Sequence, residues 1–215
     1  HPIGTYEHPD FPGNKLFFPP LMEVMNYCYT REVTHLHSAT MGPVGLAALM
    51  LAKALGATQL VGVDTVAERC RIAKDLGLAD EALVSGPDTQ EKVIALSYGA
   101  KGYERTVDCS GHTRGRQLCI RATRQWGKMV MIGEGGTVEF NPSPDIIHDQ
   151  ITIYGSWFTN IWRMEELVER LVRWKIHPED LVTHRFTLDA CDKAYALMDQ
   201  GKCGKVAVVF YEEIK

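Results

Sequence analysis

Apolar residues in this chain fall into short blocks separated by turn residues. Leu60-Val61-Gly62-Val63, Ala82-Leu83-Val84, Lys128-Met129-Val130-Met131-Ile132 and Ile151-Thr152-Ile153-Tyr154 are brief runs, each of strand length. Runs of this kind suit parallel strands buried on both faces. Arg105-Thr106-Val107-Asp108-Cys109 reads as a further strand, closed by Ser110-Gly111. Helical patterns lie between the runs. Val44, Ala48, Leu51 and Leu55 share one face of a helix that opens at Leu46. Ala67 to Leu76 reads as helix stopped by Gly77, Thr89 to Tyr98 as helix stopped by Gly99, and Gly115 to Thr123 as a fourth. The alternation of strand and helix predicts an α/β fold, a doubly wound parallel sheet of the Rossmann kind.

The pattern changes at both ends. Residues 1–20 are rich in Pro, Gly, His and aromatic residues without a sustained period, and read as loop. Residues 21–31 read as a short helix or connection. Near the other end, Met164, Leu167, Val168, Leu171 and Val172 follow the i, i+3, i+4, i+7, i+8 spacing of an amphipathic helix. An extended stretch from Leu181 to Thr187, a helix marked by Ala190, Ala194, Leu197 and Met198, and a final strand from Lys205 to Tyr211 follow. The expected division is therefore 1–32, an N-terminal remnant; 33–163, the sheet domain; and 164–215, a return segment packing on a neighbouring domain.

Within the sheet domain the turn Thr40-Met41-Gly42-Pro43-Val44-Gly45 stands between a strand-like segment, Val33 to Ser38, and the first helix. About twenty residues on, Asp64 ends the next strand, which completes the order of a dinucleotide-binding βαβ unit. Gly42 is expected to let the backbone approach a pyrophosphate, and Gly45 to let the helix pack closely on the sheet. Free N–H groups of the first helical turn and the helix dipole favour an anion there. Asp64 is placed to accept hydrogen bonds from ribose hydroxyls. Two features depart from the ideal: Thr40 occupies a position where the fingerprint has glycine, and His35 and His37 interrupt what is expected to be a central strand. Because ligands sit at the carboxyl ends of such strands, residues 40–45, Asp64, Cys109 to Gly111, Ile132 to Glu134 and Gly155 to Trp157 are expected to form one cleft rim.

Composition narrows the partners. The 215 residues carry a net charge of -4, which gives no reason to expect nucleic acid or an anionic membrane surface. No apolar run approaches the ~20 residues of a membrane span. The six cysteines are scattered without a Cys-x-x-Cys pair, so neither a zinc knuckle nor a redox dithiol is visible, and they read as reduced cytoplasmic thiols. The histidines are isolated, and no tetrahedral zinc site is expected in the visible chain.

These landmarks resemble the zinc-type medium-chain alcohol dehydrogenases, in particular the threonine and polyol dehydrogenase branch. The matching residues are Gly42-Pro43-Val44-Gly45, Val63-Asp64 with Arg69, Val107-Asp108-Cys109-Ser110-Gly111, Ile132-Gly133, Tyr154-Gly155-Ser156-Trp157, Val182-Thr183-His184-Arg185-Phe186 and Gly204-Lys205-Val206. The resemblance implies a homo-oligomeric, NAD-dependent oxidoreductase acting on a small-molecule alcohol, with zinc bound in the full-length protein. It places Val44, Asp64 and Arg69 around the adenosine half of NAD. Cys109 and Ser110 belong to the same rim, and Ile132, Gly133, Glu134, Ser156 and Trp157 to the nicotinamide side. An acid at the end of the second strand repels a 2′-phosphate and favours NAD over NADP.

The front of the chain departs from that family, whose members begin with a barrel-like catalytic domain of which residues 1–32 are a remnant. His1 aligns with the family's proton-relay histidine and is the implied catalytic residue. Glu23 aligns with the glutamate of a Gly-His-Glu motif and is the implied metal residue. The shortfall predicts a break, or an over-long Cα–Cα step, between Phe17 and Val33. Two other readings of the same sheet remain open: a zinc-free, NADPH-dependent quinone-type reductase, against which Asp64 argues, and a non-catalytic nucleotide-binding module.

Overall fold

A computed structural model of the chain describes residues 35–38, 42–157, 159–201 and 203–209. His1, Glu23, Thr40 and the segment between Phe17 and Val33 lie outside the described residues. In chain order the elements of the main sheet are β1 (His35–Ser38), α1 (Pro43–Ala54), β2 (Gln59–Asp64), α2 (Ala67–Asp75), β3 (Glu81–Val84), α3 (Thr89–Leu96), β4 (Tyr103–Asp108), α4 (Thr113–Ala122), β5 (Thr123–Met131) and β6 (Thr152–Gly155). The strands pair in the order β3-β2-β1-β4-β5-β6, all parallel. After β3 the chain crosses back to lay β4 beside β1, so the winding reverses between those two strands and opens a crevice at their carboxyl ends. This is the doubly wound sheet that the block pattern predicts.

The runs at 82–84 and 151–154 form the edge strands β3 and β6 and are only half-buried, because an edge strand has a neighbour on one side alone. Burial on both faces explains the apolar runs of the inner strands β2 and β5. On one face Leu60, Val107 and Val130 pack with Leu46, Leu49 and Ala52 of α1 and with Cys70, Ile72 and Ala73 of α2. On the other, Val61 and Val63 of β2 meet Val93 of α3, Tyr103 and Ala122. Cys119, Ile120, Met129 and Ile151 continue that packing under β5. Neighbouring residues of β2 thus serve opposite layers, as the period-2 alternation of a strand requires.

The apolar face of α1 is wider than the stripe Val44, Ala48, Leu51, Leu55. Leu46 and Leu49 are wholly buried against the sheet, while Val44 and Leu55 are half-buried. The helix is covered on two sides, and its second cover comes from the C-terminal segment. There α5 (Ile161–Trp174) sets Leu167, Leu171 and Trp174 against Leu51 and Leu55. Asn160 begins this helix by accepting the Arg163 N–H at 3.0 Å, and Lys175, at φ 54°, ends it. The expected boundary between residues 163 and 164 falls inside α5, and the return segment packs on the sheet domain itself. The other half of its apolar stripe, Val168 and Val172, is exposed. Beyond it, β7 (Val182–Thr187), α6 (Cys191–Asp199) and β8 (Lys205–Val209) form a small parallel two-stranded unit around Ala194, Cys203 and Val206.

Most strands shift by a residue or two from their expected extents, and β5 differs most. β5 starts at Thr123, five residues before the expected Lys128, because the helix before it ends at Ala122. Tyr103 pairs with Thr123 and Arg105 with Lys128, so residues 124–127 bulge out of the ladder. Trp126 sits in this bulge at φ 58°, its N–H bonded to the Asp149 carbonyl at 2.7 Å.

Candidate functional site: the carboxyl-end rim

The rim begins at the N-terminus of α1. Gly42 precedes the helix with no side-chain cap, Pro43 occupies the first turn, and the Leu46 N–H returns to the Gly42 carbonyl at 2.9 Å. Proline suits this place because its missing N–H has no helical acceptor to lose. The first-turn amides of Val44 and Gly45 have no acceptor within the helix, which leaves an anion-binding end. Gly42 has φ -58°, an ordinary value, so no left-handed conformation requires glycine there. Gly45 is buried in the first turn of α1, which is compatible with its expected packing role.

Asp64 closes β2 with its side chain 1% exposed. Its Oδ1 accepts the Val66 N–H at 2.9 Å, and its Oδ2 lies 3.5 Å from the Arg69 guanidinium, whose side chain is 17% exposed. Arg69 also donates through Nε to the Cys203 carbonyl at 3.2 Å, so the acid, α2 and the C-terminal segment are tied together. Burial first, and the Asp64 carboxylate second, push the neighbouring Cys70 thiol above its ordinary range. The family resemblance implied Arg69 near Asp64; the link to Cys203 spans 134 positions and carries no local signal.

The middle of the rim is built around Asp108, which is wholly buried. It accepts the Ser110 N–H at 3.0 Å, the Ser110 hydroxyl at 2.6 Å and the Gly111 N–H at 3.2 Å. These contacts make it the anchor of the turn after β4, as expected of an acid at a strand end. Arg116 completes the cluster: its Nε is 3.3 Å from Asp108 Oδ2, and its Nη2 donates to the Gly133 carbonyl at 2.8 Å. Sequence reasoning missed Arg116. Its one signal was a cation on the helix that follows an acid-ended strand.

Through Arg116 the turns after β4 and β5 are clasped. A Cβ on Gly111 would stand 2.0 Å from the Glu134 carbonyl oxygen, and one on Gly133 would stand 2.0 Å from the Gly111 nitrogen. Gly111 also has φ 66°, so both its conformation and its surroundings require glycine. Cys109 is half-buried and packs on the main core, and Ile132 does the same. Glu134 is exposed on the rim. Just after β6 the Ser156 N–H donates to the Met131 carbonyl at 3.0 Å, while the Ser156 hydroxyl is buried with no hydrogen-bond partner among the described residues. Trp157 beside it is exposed.

A helix N-terminus with no side-chain cap among the described residues, an acid on the adjoining strand and a hydroxyl with no partner among them fit an extended polar ligand such as a dinucleotide at the carboxyl-end crevice. The family model described as "Zinc-binding dehydrogenase" matches residues 43–173, more than half of the chain, from the start of α1 into the last turn of α5. The chain belongs to the zinc-binding dehydrogenase family. An uncharacterized zinc-type alcohol dehydrogenase-like protein, YphC, of Escherichia coli K12 is 44% identical over 171 residues, covering 79% of this chain and 48% of that protein. Human sorbitol dehydrogenase is 30% identical over 188 residues, covering 85% of this chain and 52% of its own length. Among solved structures, a short chain alcohol dehydrogenase of E. coli CFT073 complexed with cofactor NADH superposes with a TM-score of 0.73 at 20% identity. It matches 89% of this chain and 58% of its own. The chain spans about half the length of the curated relatives it matches.

For a zinc-binding dehydrogenase, the described residues supply no zinc site: no group of three or more His, Cys, Asp or Glu among them could hold a metal ion. His112 instead caps α4, accepting the Arg114 N–H at 3.2 Å. His148 bonds the Ser143 hydroxyl and His177 pairs with Glu179. Among the described residues no helix is long and apolar enough to cross a membrane.

Proposed function

We propose that this chain is the NAD-placing part of a zinc-type dehydrogenase that oxidises a secondary alcohol or polyol. The observation that carries the reading is Asp64: a buried acid closing β2 beside the uncapped N-terminus of α1, in a family member whose relatives include a sorbitol dehydrogenase. The amides of Val44 and Gly45, with the helix dipole, hold the pyrophosphate. Asp64 receives the adenosine ribose. Its Oδ1 stays fixed by Val66 while Arg69 swings from Oδ2 to line the adenosine pocket.

The clasp of Gly111, Gly133 and Arg116 fixes the two middle turns, and Ser156 offers its hydroxyl at the nicotinamide end. Cofactor chemistry supplies the hydride acceptor; the residues described here orient it and exclude water beneath it. Proton relay at His1 and a metal contact at Glu23 belong to the same proposal, as do a homo-oligomer and a cytoplasmic location. The division of labour between residues 33–163 and 164–215 follows from it too, with the boundary moved to the start of α5.

The test is direct binding of NADH and NADPH to this chain, followed by energy transfer from tryptophan to the dihydronicotinamide. Saturable NADH binding at least about tenfold tighter than that of NADPH supports the reading, since the Asp64 carboxylate meets a 2′-phosphate with repulsion. Equal affinities, or a preference for NADPH, overturn it in favour of a quinone-type reductase.

A further inference from the structure

At the opposite end of the sheet, below the amino ends of β4 and β5, lies a cavity of about 630 Å³. Lys101, Arg105, Arg121, Arg124, Trp126 and Asp149 are among its lining residues. Four cations facing one lining carboxylate is unusual for a chain whose net charge is -4. Arg124 is partly neutralised by Glu104. Among the described residues Arg121 reaches only the neutral Gln90, at 3.4 Å, and neither it nor Lys101 has a carboxylate partner there. Lys101 and Arg121, two cations without a carboxylate partner among the described residues, raise the local concentration of anions at this concavity.

The second observation is Trp126. It holds φ 58° in the bulge of β5, a conformation that costs a non-glycine residue roughly 1–2 kcal/mol and that glycine adopts freely. The residue is nonetheless 66% exposed, so core packing does not repay that cost. Gly127 follows it in a space where a Cβ would stand 2.6 Å from the Arg124 carbonyl oxygen, which holds the bulge tightly closed. The bulge therefore keeps an indole at the mouth of a cationic cavity, away from the carboxyl-end rim.

We propose that this cavity is a second binding site, distinct from the cofactor crevice, for a small phosphate monoester carried on a planar ring. The guanidinium of Arg121, with Lys101, takes the phosphate, because a planar fork of N–H donors matches phosphate oxygens. The face of Trp126 takes the ring. A cavity of this volume holds a molecule of mononucleotide size. The site extends the proposed function without depending on it.

The experiment is calorimetric titration of the chain with phenyl phosphate, with inorganic phosphate as the control. Both titrations are repeated in the presence of saturating NADH. Phenyl phosphate is expected to bind about tenfold more tightly than inorganic phosphate, the difference coming from ring stacking. Trp126→Gly, which suits the local backbone and leaves the fold intact, is expected to erase that difference. A Lys101→Ala/Arg121→Ala variant is expected to weaken both anions at least about fivefold. Added NADH is expected to change neither affinity. Three results would overturn the proposal: no saturable heat with phenyl phosphate, displacement of phenyl phosphate by NADH, or equal binding by wild type and Trp126→Gly. The Trp126 comparison needs no NADH, so failure of the cofactor reading leaves it interpretable.

Discussion

Removing the Arg116 guanidinium, as in Arg116→Leu, leaves a wholly buried Asp108 without its only counter-ion among the described residues. Loss of one partner of a buried ion pair costs about 3–5 kcal/mol when nothing else holds the remaining charge. Here three donors remain: the Ser110 and Gly111 amides and the Ser110 hydroxyl. They retain part of the stabilisation, while the Gly133 carbonyl loses its bond to Arg116. The expected net loss is about 2–3 kcal/mol. Asp108→Asn is expected to cost less, about 1–2 kcal/mol, because Arg116 is 11% exposed and can turn toward water. The double variant then loses less than the sum of the two, by about 1–2 kcal/mol, since the second change removes a charge already orphaned by the first. Urea unfolding of the four proteins, followed by far-ultraviolet circular dichroism, measures the cycle. Additive losses, or an Arg116→Leu variant within 0.5 kcal/mol of wild type, would refute the claim that this pair clasps the rim.

Three further outcomes follow from particular contacts. Gly111→Ala introduces a Cβ 2.0 Å from the Glu134 carbonyl oxygen at a residue of φ 66°, and is expected to lower stability by more than about 2 kcal/mol and to weaken NADH binding; an unchanged urea midpoint refutes the interlock. Burial holds the Tyr103 phenol well above its ordinary range while its hydroxyl donates to the Val93 carbonyl at 2.9 Å. Because the folded phenol resists ionisation, its contribution is fully present below the unfolded pKa of about 10 and is lost as pH rises beyond it. Tyr103→Phe is therefore expected to flatten the fall in stability above about pH 10, and an unchanged slope there counts against the assignment. Trp126→Gly is expected to stabilise the chain by roughly 0.5–1 kcal/mol by relieving a left-handed backbone; destabilisation on urea unfolding would mean that the indole contributes packing.

The sheet was legible because its signal is local. Leu60 to Asp64 and Lys128 to Met131 are apolar for the reason that helices cover both faces of their strands, and the turn residues between blocks mark the crossovers. Asp64 and Asp108 were legible as strand-ending acids. What escaped was non-local. Leu51 and Leu55 gave a helical stripe, but not that α5 would cover it from more than a hundred positions away. The glycines at 111 and 133 could be read as turn residues, yet their mutual exclusion of a side chain depends on two turns meeting in space. Arg116 escaped for the same reason. The bulge of β5 escaped because Trp126 stands where a strand-like residue type hides a left-handed backbone.

Cofactor choice at Asp64 tests the account most directly. NADH and NADPH are titrated against the wild-type chain and Asp64→Ser, with urea unfolding of both proteins to show that the variant is folded. The account predicts that wild type prefers NADH, and that the variant binds NADH about tenfold or more weakly, the loss of one charge-assisted contact. With Arg69 released from its partner, relative affinity for NADPH is expected to rise. A folded Asp64→Ser protein that binds NADH as tightly as wild type would contradict the account, because Asp64 would then not be the ribose ligand.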